Sequence, residues 1–444
     1  MRHVNLTDLR PGERRRGALY DPSGRCCLGA EQSLTQRLID DLHAAGWSHV
    51  FEDVEEPDTA ESPVAPAQHE EMPAPEAIPN QYRLRTHLRE RWAIRAGIRR
   101  TAESVVTDRQ RRWARLPLRV TPATVRGSTV HPDGPEIAGI DERVLFQARA
   151  ERIEMVRRLI NRLVSGETVG VGVLNEIVDE LIDEAARRRH LFATIALGTL
   201  GRADALAEHC FATGALSIGI AMRLGWSRAD VRAAGLAGIL ADAGLALLPM
   251  PVRMLCRPLT DIELNAVRRH CTYSAALIER IVAPTPAEAI PESVQLAVFQ
   301  HHEREDGSGY PTGIRGSAIH DLAKTVAVAD VLAGSIAPRA HRPPLPAPTA
   351  IADVVRQANA GILDRPAAMA LVELCGIYPP GSRVRLNTGH EALVLCNGRT
   401  RRLDRPVVRV LASGVRAGEV KPGEPLDLSW WRDEEIRVVG AVAA

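Results

Sequence analysis

The strongest chemical signal in the sequence is an eleven-residue string that begins with two adjacent histidines, His301 and His302. Neutral imidazoles and carboxylates are ligands of zinc, iron and manganese. Adjacent side chains leave the backbone in different directions, so both histidines can bind metal only at a bend or at a centre with several ions. Gly307 and Gly309 permit a turn, and Pro311 keeps the residue before it extended. The string therefore predicts a metal site beside a turn that presents backbone N–H groups and a tyrosine hydroxyl.

This string, from His301 to Pro311, resembles the signature of the HD-GYP family, a subgroup of the HD metal-dependent phosphohydrolases. The resemblance implies ligands on five segments about thirty residues apart, as expected for consecutive helices that converge on one core site. The implied metal ligands are His209, Asp242, His270, His301, His302 and Asp330. Asp242 lies in an apolar run, where an unpaired carboxylate would be costly, and we assign it a catalytic role as well.

A second group of residues is implied to face the substrate or to support the ligands. Glu303 and Asp306 are expected to orient the turn or to hold the ligands rather than to bind metal. The surface beside the metal is expected to consist of Gly307, Gly309, Tyr310 and Pro311.

The sequence departs from the family pattern at several positions. Ala241 replaces the histidine of the His-Asp doublet, and Leu245 replaces a lysine that neutralises phosphate. Ala205 offers no ligand atom where some members have a glutamate, and Ala333 replaces the aspartate that usually follows Asp330. The implied cofactor is a divalent metal (Fe, Mn or Zn). Because Ala241 removes one ligand, two alternatives stay open: a site with a single ion and a site without metal. Three protein ligands and a water suffice for a catalytic zinc.

The resemblance implies hydrolysis of cyclic di-GMP, a bacterial second messenger, by metal-bound hydroxide, here with reduced activity. The alternative is a catalytically inactive module that serves as a cyclic dinucleotide receptor or a protein-interaction scaffold. Whether the chain is an enzyme therefore stays open at this point. A diguanylate cyclase domain is a further candidate partner, and a homodimer is a further candidate assembly.

The sequence predicts a mainly α protein, in which an all-helical HD-type bundle is flanked by a small N-terminal α/β region and a small C-terminal β domain. Five short strands split by Gly, Pro and Asn are expected in the tail, at 384–386, 392–395, 407–411, 426–429 and 436–439. The expected regions are 1–51 (α/β), 52–80 (acidic, Pro-rich linker), 81–136 (Arg-rich), 137–198 (helical connector), 199–374 (HD-GYP-like helical domain) and 375–444 (β-rich).

Composition narrows the function classes. The formal net charge is +1 and aromatic residues make up 4% of the chain, which disfavours a nucleic-acid polymer as partner. The 7 cysteines form no CxxC pair, so a reducing cytoplasm is the expected compartment. The apolar run from Ala233 to Met250 contains Asp242 and ends with a proline, which favours a buried core helix over a transmembrane segment.

Two neighbouring segments carry opposite charge. Residues 52–80 contain acidic residues and prolines but no lysine or arginine, whereas residues 81–120 contain twelve arginines and three acids. The basic segment has two interpretations: contact with an anionic partner, the acidic linker included, or an ordinary solvated helix surface. Only Lys324 and Lys421 are lysines among the 56 basic residues, so arginine usage alone says little about function.

Overall fold

The computed structural model contains two compact units. The first consists of Met1–Ala93, Leu248–Val267 and Ala340–Arg342, and the second of Ile94–Leu247, Arg268–Arg339 and Pro343–Ala444. The structure describes residues 2–13, 19–20, 26–28, 34–36, 39–40, 49–52, 80–120, 142–188, 191–198, 205–248, 259–337, 344–398, 402–411, 423, 425–431 and 435–442. The acidic linker lies outside these described residues.

The N-terminal part of the first unit contains four short strands in one antiparallel sheet. They are β1 (Arg2–Asn5), β2 (Leu19–Tyr20), β3 (Cys26–Leu28) and β4 (His49–Glu52), in the order β1-β4-β2-β3. Their apolar face covers a small core with Leu6, Leu19 and Val50.

Most of the second unit is helical. In chain order the described α-helices are α1 (Asn80–Trp113), α2 (Glu142–Val164), α3 (Gly172–Arg187), α4 (Phe192–Leu197), α5 (Ala205–Arg223), α6 (Arg228–Leu240), α7 (Asp261–Arg268), α8 (His270–Leu277), α9 (Glu292–Gln300), α10 (Asp321–Ile336), α11 (Ala347–Asn359) and α12 (Arg365–Cys375). Helices α1 and α7 begin in the first unit and end in the second, and the others belong to the second unit. The strands β5 (Val169–Gly170) and β6 (Ile281–Val282) pair in parallel between these helices. The prediction of a mainly α protein is confirmed.

Helix α5 is the central helix of the bundle and packs against α2, α4, α6, α10 and α12. It is the one helix of the described residues that is long and apolar enough to cross a membrane, but most of its residues are buried within the unit, as in an ordinary core helix. A Cβ atom added at Gly238 of α6 would lie 2.7 Å from the Gly214 Cα atom of α5. The two glycines therefore let these helices cross at backbone contact, which brings the end of α6 towards the ligand-bearing face of α5.

The C-terminal part of the second unit is a five-stranded antiparallel sheet. Its strands are β7 (Arg383–Leu386), β8 (Glu391–Cys396), β9 (Val407–Val410), β10 (Pro425–Asp427) and β11 (Val438–Ala441), in the order β10-β9-β8-β7-β11. Strand β8 alternates between buried and half-buried residues, so one face covers a core with Val394 and Leu428. The five strands expected from the sequence are present, although residues 428–430 form a 3₁₀ turn rather than the end of a strand.

The Arg-rich segment forms the long helix α1, and its second half packs on the helical core. Ile98, Ala102, Val106 and Trp113 are buried along one side, and the Trp113 ring lies 5.4 Å from that of Phe299. Its arginines pair with acids of the same unit: Arg109 with Glu279 and Glu292, and Arg119 with Asp321. The part of the helix whose side chains the structure describes is thus partly buried, and contact of the segment with an anionic partner stays a prediction.

Candidate metal centre

Five segments of the helical unit bring the six expected ligands into one buried cluster. His209 lies on α5, Asp242 follows α6, His270 begins α8, His301 and His302 follow α9, and Asp330 lies within α10. Five of the six residues are at most 7% exposed, and the side chain of His302 is 15% exposed. The side chains therefore converge, although nothing in the sequence determined which atoms would meet.

The oxygen-rich half of the cluster is formed by His209, Asp242 and Asp330. His209 Nε2 lies 2.7 Å from Asp242 Oδ2 and 2.9 Å from Asp330 Oδ1. One ring nitrogen carries at most one hydrogen, so it cannot donate a full hydrogen bond to both carboxylates. The three ligand atoms lie within 4.8 Å of one another, which would let a single cation contact all of them.

The nitrogen-rich half of the cluster is formed by the other three histidines. His270 Nε2 lies 3.1 Å from Asp242 Oδ1 and 3.4 Å from His301 Nε2, and His302 Nδ1 lies 3.8 Å from Asp330 Oδ2. His301 Nδ1 donates a hydrogen bond to the Val298 carbonyl oxygen (2.7 Å), so the Nε2 lone pair faces the cluster. Asp242 therefore bridges the two halves through its two oxygens.

The local backbone places Asp242 beside His270. Helix α6 ends at Leu240, and the chain continues into a 3₁₀ turn at Ala243–Leu247. The Gly244 N–H donates to the Ser274 hydroxyl (2.8 Å), which fixes this turn against α8. The carboxylate thus lies between two helices that supply histidines.

Electrostatics in the cluster are dominated by burial and by the two carboxylates. Burial alone would lower the pKa of His209, but Asp242 and Asp330 outweigh it and raise this pKa to about 9. Burial also acts on His270, whose pKa is raised to about 10 by Cys271 and Asp242. The pKa of His302 is lowered by burial and by His301, so its ring is neutral at pH 7. Without a cation, protons on two imidazoles balance the two carboxylates.

The residues of the cluster fit a divalent metal. Asp242 Oδ1 is buried and accepts no aligned hydrogen bond, even though two imidazole nitrogens lie within 4 Å of it. Without a metal, the positive charge beside this buried oxygen is that of the protonated His270, 3.1 Å away, and a divalent metal would take over that role. Imidazoles and carboxylates are the ligand types of zinc, iron and manganese, so chemistry and geometry agree with the expected cofactor class.

The turn after the histidines is held by its own acidic side chains. Glu303 is buried, and its Oε1 accepts hydrogen bonds from the Thr312 N–H (2.7 Å) and hydroxyl (2.6 Å). Asp306 Oδ1 accepts hydrogen bonds from the Ser308 N–H (2.9 Å) and hydroxyl (2.7 Å). Glu303 and Asp306 thus brace the turn, and neither belongs to the two ligand groups found among the described residues.

The Tyr310 ring covers the nitrogen-rich half of the cluster. It stacks on the His302 ring at 4.6 Å, and the peptide bond between Tyr310 and Pro311 is cis. The Arg268 guanidinium lies over the Tyr310 ring, with its Cζ atom 5.4 Å from the ring centre. Burial raises the pKa of the Tyr310 hydroxyl, which therefore stays protonated and able to donate.

The positions that depart from the family pattern lie close to the cluster. Ala241 is 2% exposed and adjoins Asp242, so its methyl group occupies a buried place without offering a ligand atom. Leu245 is half-buried in the following turn, whereas Ala205 is exposed at the start of α5.

Sequence reasoning missed three residues around the site and misplaced one. Arg268 and Cys271 flank His270, and Lys324 is a nearly buried cation 2.8 Å from Glu305. Four histidines, His131, His190, His320 and His341, fit no position of the family pattern, and the sequence therefore predicts them on the surface. For His320 this prediction is wrong: it is 2% exposed, and its Nδ1 accepts from the Leu322 N–H (3.0 Å) to cap α10. The other three lie outside the described residues.

Comparisons with known proteins agree with this architecture. A family model described as an HD domain matches residues 179–366. The chain is 33% identical over 264 residues to a cyclic di-GMP phosphodiesterase of Pseudomonas aeruginosa, covering 59% of this chain and 61% of that protein. It is 34% identical over 123 residues to the cyclic di-GMP phosphodiesterase response regulator RpfG of Xanthomonas campestris pv. campestris, covering 28% and 31%. It is also 32% identical over 126 residues to the 3'3'-cGAMP-specific phosphodiesterase 1 of Vibrio cholerae, covering 28% and 27%.

Among solved structures, the chain is similar to an HDG"Y"P protein from Bdellovibrio bacteriovorus. The TM-score is 0.41 with 13% identity, over 83% of this chain and 97% of that one, which is too low to add to the argument about the fold. The helical fold and the matched model define residues 179–366 as an HD domain. This matched range contains all six expected ligands, and the chain spans 61% of the length of the Pseudomonas protein and less than a third of the other two relatives.

Proposed function

We propose that this chain is a metal-dependent phosphodiesterase that hydrolyses a cyclic dinucleotide, with cyclic di-GMP as the first candidate substrate. The observation that carries the proposal is the bridging Asp242: one of its oxygens pairs with His209, and the other is buried without a hydrogen bond beside His270 and His301. The names of the related proteins support this class of substrate and include both cyclic di-GMP and 3'3'-cGAMP.

In this proposal the cluster residues hold the metal and the turn faces the nucleotide. His209, Asp242 and Asp330 would hold one ion, and His270, His301 and His302 would complete the centre. A divalent metal bound there neutralises a phosphodiester and lowers the pKa of a coordinated water. The proposed metal ligands lie on three helices and in two turns that directly follow helices, a rigid support that would keep their geometry for in-line attack.

The surface beside the metal is expected to bind and orient the dinucleotide. The Tyr310 hydroxyl stays protonated and can donate to a phosphate or base, and the Arg268 guanidinium on its ring supplies positive charge where Leu245 supplies none. Gly307, Gly309 and Pro311 shape this surface, and Glu303 and Asp306 fix it from within. The mouth thus offers one cation and one hydroxyl for an anionic ligand.

A second candidate function is a receptor or scaffold without turnover. The buried methyl group of Ala241 and the apolar Leu245 favour it, since each removes a group that the family uses for metal or phosphate. Loss of one positioned charge at a developing phosphate anion costs about 3 kcal/mol of transition-state stabilisation. The convergence of six ligands on one point favours the enzyme, because a receptor has no need of it.

Purified protein loaded with manganese or iron(II) distinguishes the two functions. We expect turnover of cyclic di-GMP or 3'3'-cGAMP, followed by chromatography of the linear product, and loss of turnover and bound metal in Asp242→Asn. Asp353→Asn is the matched control, because Asp353 pairs with Arg356 on α11, away from the ligand groups. Tight nucleotide binding with no product in the wild type would favour the receptor, and no bound metal would end the enzyme proposal.

The remaining expectations concern the setting of the protein. A cytoplasmic location, a homodimer and contact with a diguanylate cyclase domain stay predictions. Light scattering of the full chain, with and without the purified cyclase domain, tests the last two.

A further inference from the structure

The nitrogen-rich half of the cluster contains a sulfur atom that the family resemblance does not explain. Cys271 directly follows His270 at the start of α8 and is fully buried. Its Sγ atom and one ring nitrogen each from His270, His301 and His302 all lie within 4.8 Å of one another. Cysteine thiolates and histidine imidazoles are both zinc ligands, and four such ligands in a tetrahedron are typical of zinc sites in proteins.

The distances within this group already approach those of a tetrahedral zinc site. With Zn–N close to 2.0–2.1 Å and Zn–S close to 2.3 Å, the ligand atoms lie roughly 3.3–3.6 Å apart. His270 Nε2 is 3.4 Å from His301 Nε2 and 3.6 Å from Cys271 Sγ. The Val298 carbonyl oxygen fixes the His301 tautomer that leaves Nε2 as the acceptor. A zinc ion could therefore be bound with side-chain shifts of about 1 Å.

A second His-Cys pair in the same protein shows that adjacency alone does not create such a group. Cys210 follows His209 on α5 and is buried, as Cys271 follows His270 on α8. Within the described residues, Cys210 belongs to neither ligand group, whereas Cys271 does. A cysteine that follows a histidine is therefore not placed in a ligand group by adjacency alone, and it is the position of Cys271 on α8 that brings it to the three histidines.

We propose that Cys271, together with His270, His301 and His302, forms a four-residue zinc site in which its thiolate supplies the fourth ligand. The proposal rests on the metal centre of the proposed function and names its occupant and donor set. On binding, the thiol proton passes to solvent buffer and the sulfur–zinc bond forms, with no change in oxidation state.

This donor set divides the centre into two unlike sites. Four protein ligands suffice for a tetrahedral zinc ion, and the soft thiolate favours zinc over manganese. Asp242 Oδ1, 3.1 Å from His270 Nε2, would lie at the edge of this shell and link it to the second site. His209, Asp242 and Asp330 are only three ligands and are richer in oxygen, so this group leaves a position for water and accepts manganese. The substrate would therefore lie beside this open position.

Cobalt(II) substitution tests the sulfur ligand without reference to activity. A thiolate bound to cobalt gives an intense near-ultraviolet charge-transfer band that nitrogen and oxygen ligands do not give. We expect this band in the wild type and in Cys210→Ser but not in Cys271→Ser. Zinc affinity, measured by chelator competition, should fall by more than about 100-fold in Cys271→Ser, because even a partner outside the ligand set is worth 10–100-fold.

A measurement on the wild type keeps the test independent of folding in the variants. X-ray absorption of the zinc-loaded protein should show one sulfur at about 2.3 Å. Bound metal with no sulfur at that distance, or a cobalt band that persists in Cys271→Ser, overturns this inference and leaves the proposed function intact. A sulfur ligand without any turnover supports the zinc site and counts against hydrolysis, and a wild type that binds no metal overturns both.

Discussion

Replacing Gly309 with alanine tests whether the turn positions the metal ligands. A Cβ atom at this position would lie 2.4 Å from the His302 carbonyl oxygen, 2.5 Å from Arg304 N and 2.6 Å from Glu303 Cα. Ordinary contacts are about 1 Å longer, and all three atoms belong to the backbone, so no side chain can move aside. The turn must therefore shift by about 1 Å, and His302 and Glu303 shift with it.

The expected cost follows from this displacement. Overpacking of this kind destabilises a fold by about 1–3 kcal/mol, and a 1 Å misplacement in an active site costs about 10²-fold in rate. We expect Gly309→Ala to lower the unfolding midpoint and to weaken metal binding, as measured by denaturant titration and chelator competition. Gly97→Ala is the control: its Cβ meets no atom within 4 Å on helix α1, so stability should rise by up to about 1 kcal/mol. Equal metal affinity in Gly309→Ala and the wild type would refute the reasoning.

Three further predictions follow from the same site. Folding raises the pKa of His209 to about 9, so protonated His209 stabilises the metal-free protein fully below about pH 6.5, and this stabilisation is lost as the pH rises through 9. The denaturation midpoint should therefore fall between these two pH values, and a flat profile would count against the assigned charge balance. The double change Ala241→His with Leu245→Lys should raise turnover at least about 10-fold in steady-state assays, because it restores a ligand and a phosphate-facing cation; no gain would mean that the pocket cannot accommodate them. Lys324→Met should destabilise the fold by about 3 kcal/mol in denaturant titrations because it strands Glu305, and Glu305→Gln in the same chain should recover part of that loss.

The ligand set followed from the resemblance of the His301–Pro311 string to a known family, because periodicity alone would not have selected His209 or His270. Asp242 in an apolar run and the doublet at His301 stand out without any structure, and the helix order follows from their spacing. What could not be predicted was the pairing of atoms. The bridging role of Asp242, and the inclusion of Cys271 but not Cys210, depend on helix rotations that periodicity does not determine.

The Arg-rich helix was the part least well interpreted from the sequence. Its net charge suggested a solvated surface or an anionic partner, yet Ile98, Ala102 and Val106 repeat every four residues and are buried. The net charge of the segment, with its twelve arginines, gave no indication of this apolar stripe, because the stripe is only one residue wide. His320 illustrates a different limit, since a histidine that caps a helix has no signature of its own.

The packing of α1 has a practical consequence for anyone who isolates the HD domain. Arg99 donates a hydrogen bond to the Leu247 carbonyl oxygen (3.2 Å), at the end of the turn after Asp242, and the Trp113 ring packs on Phe299 just ahead of His301. A fragment cut at residue 179, where the family match starts, would lose both contacts. A fragment that keeps them begins upstream of Arg99, well before the matched residues.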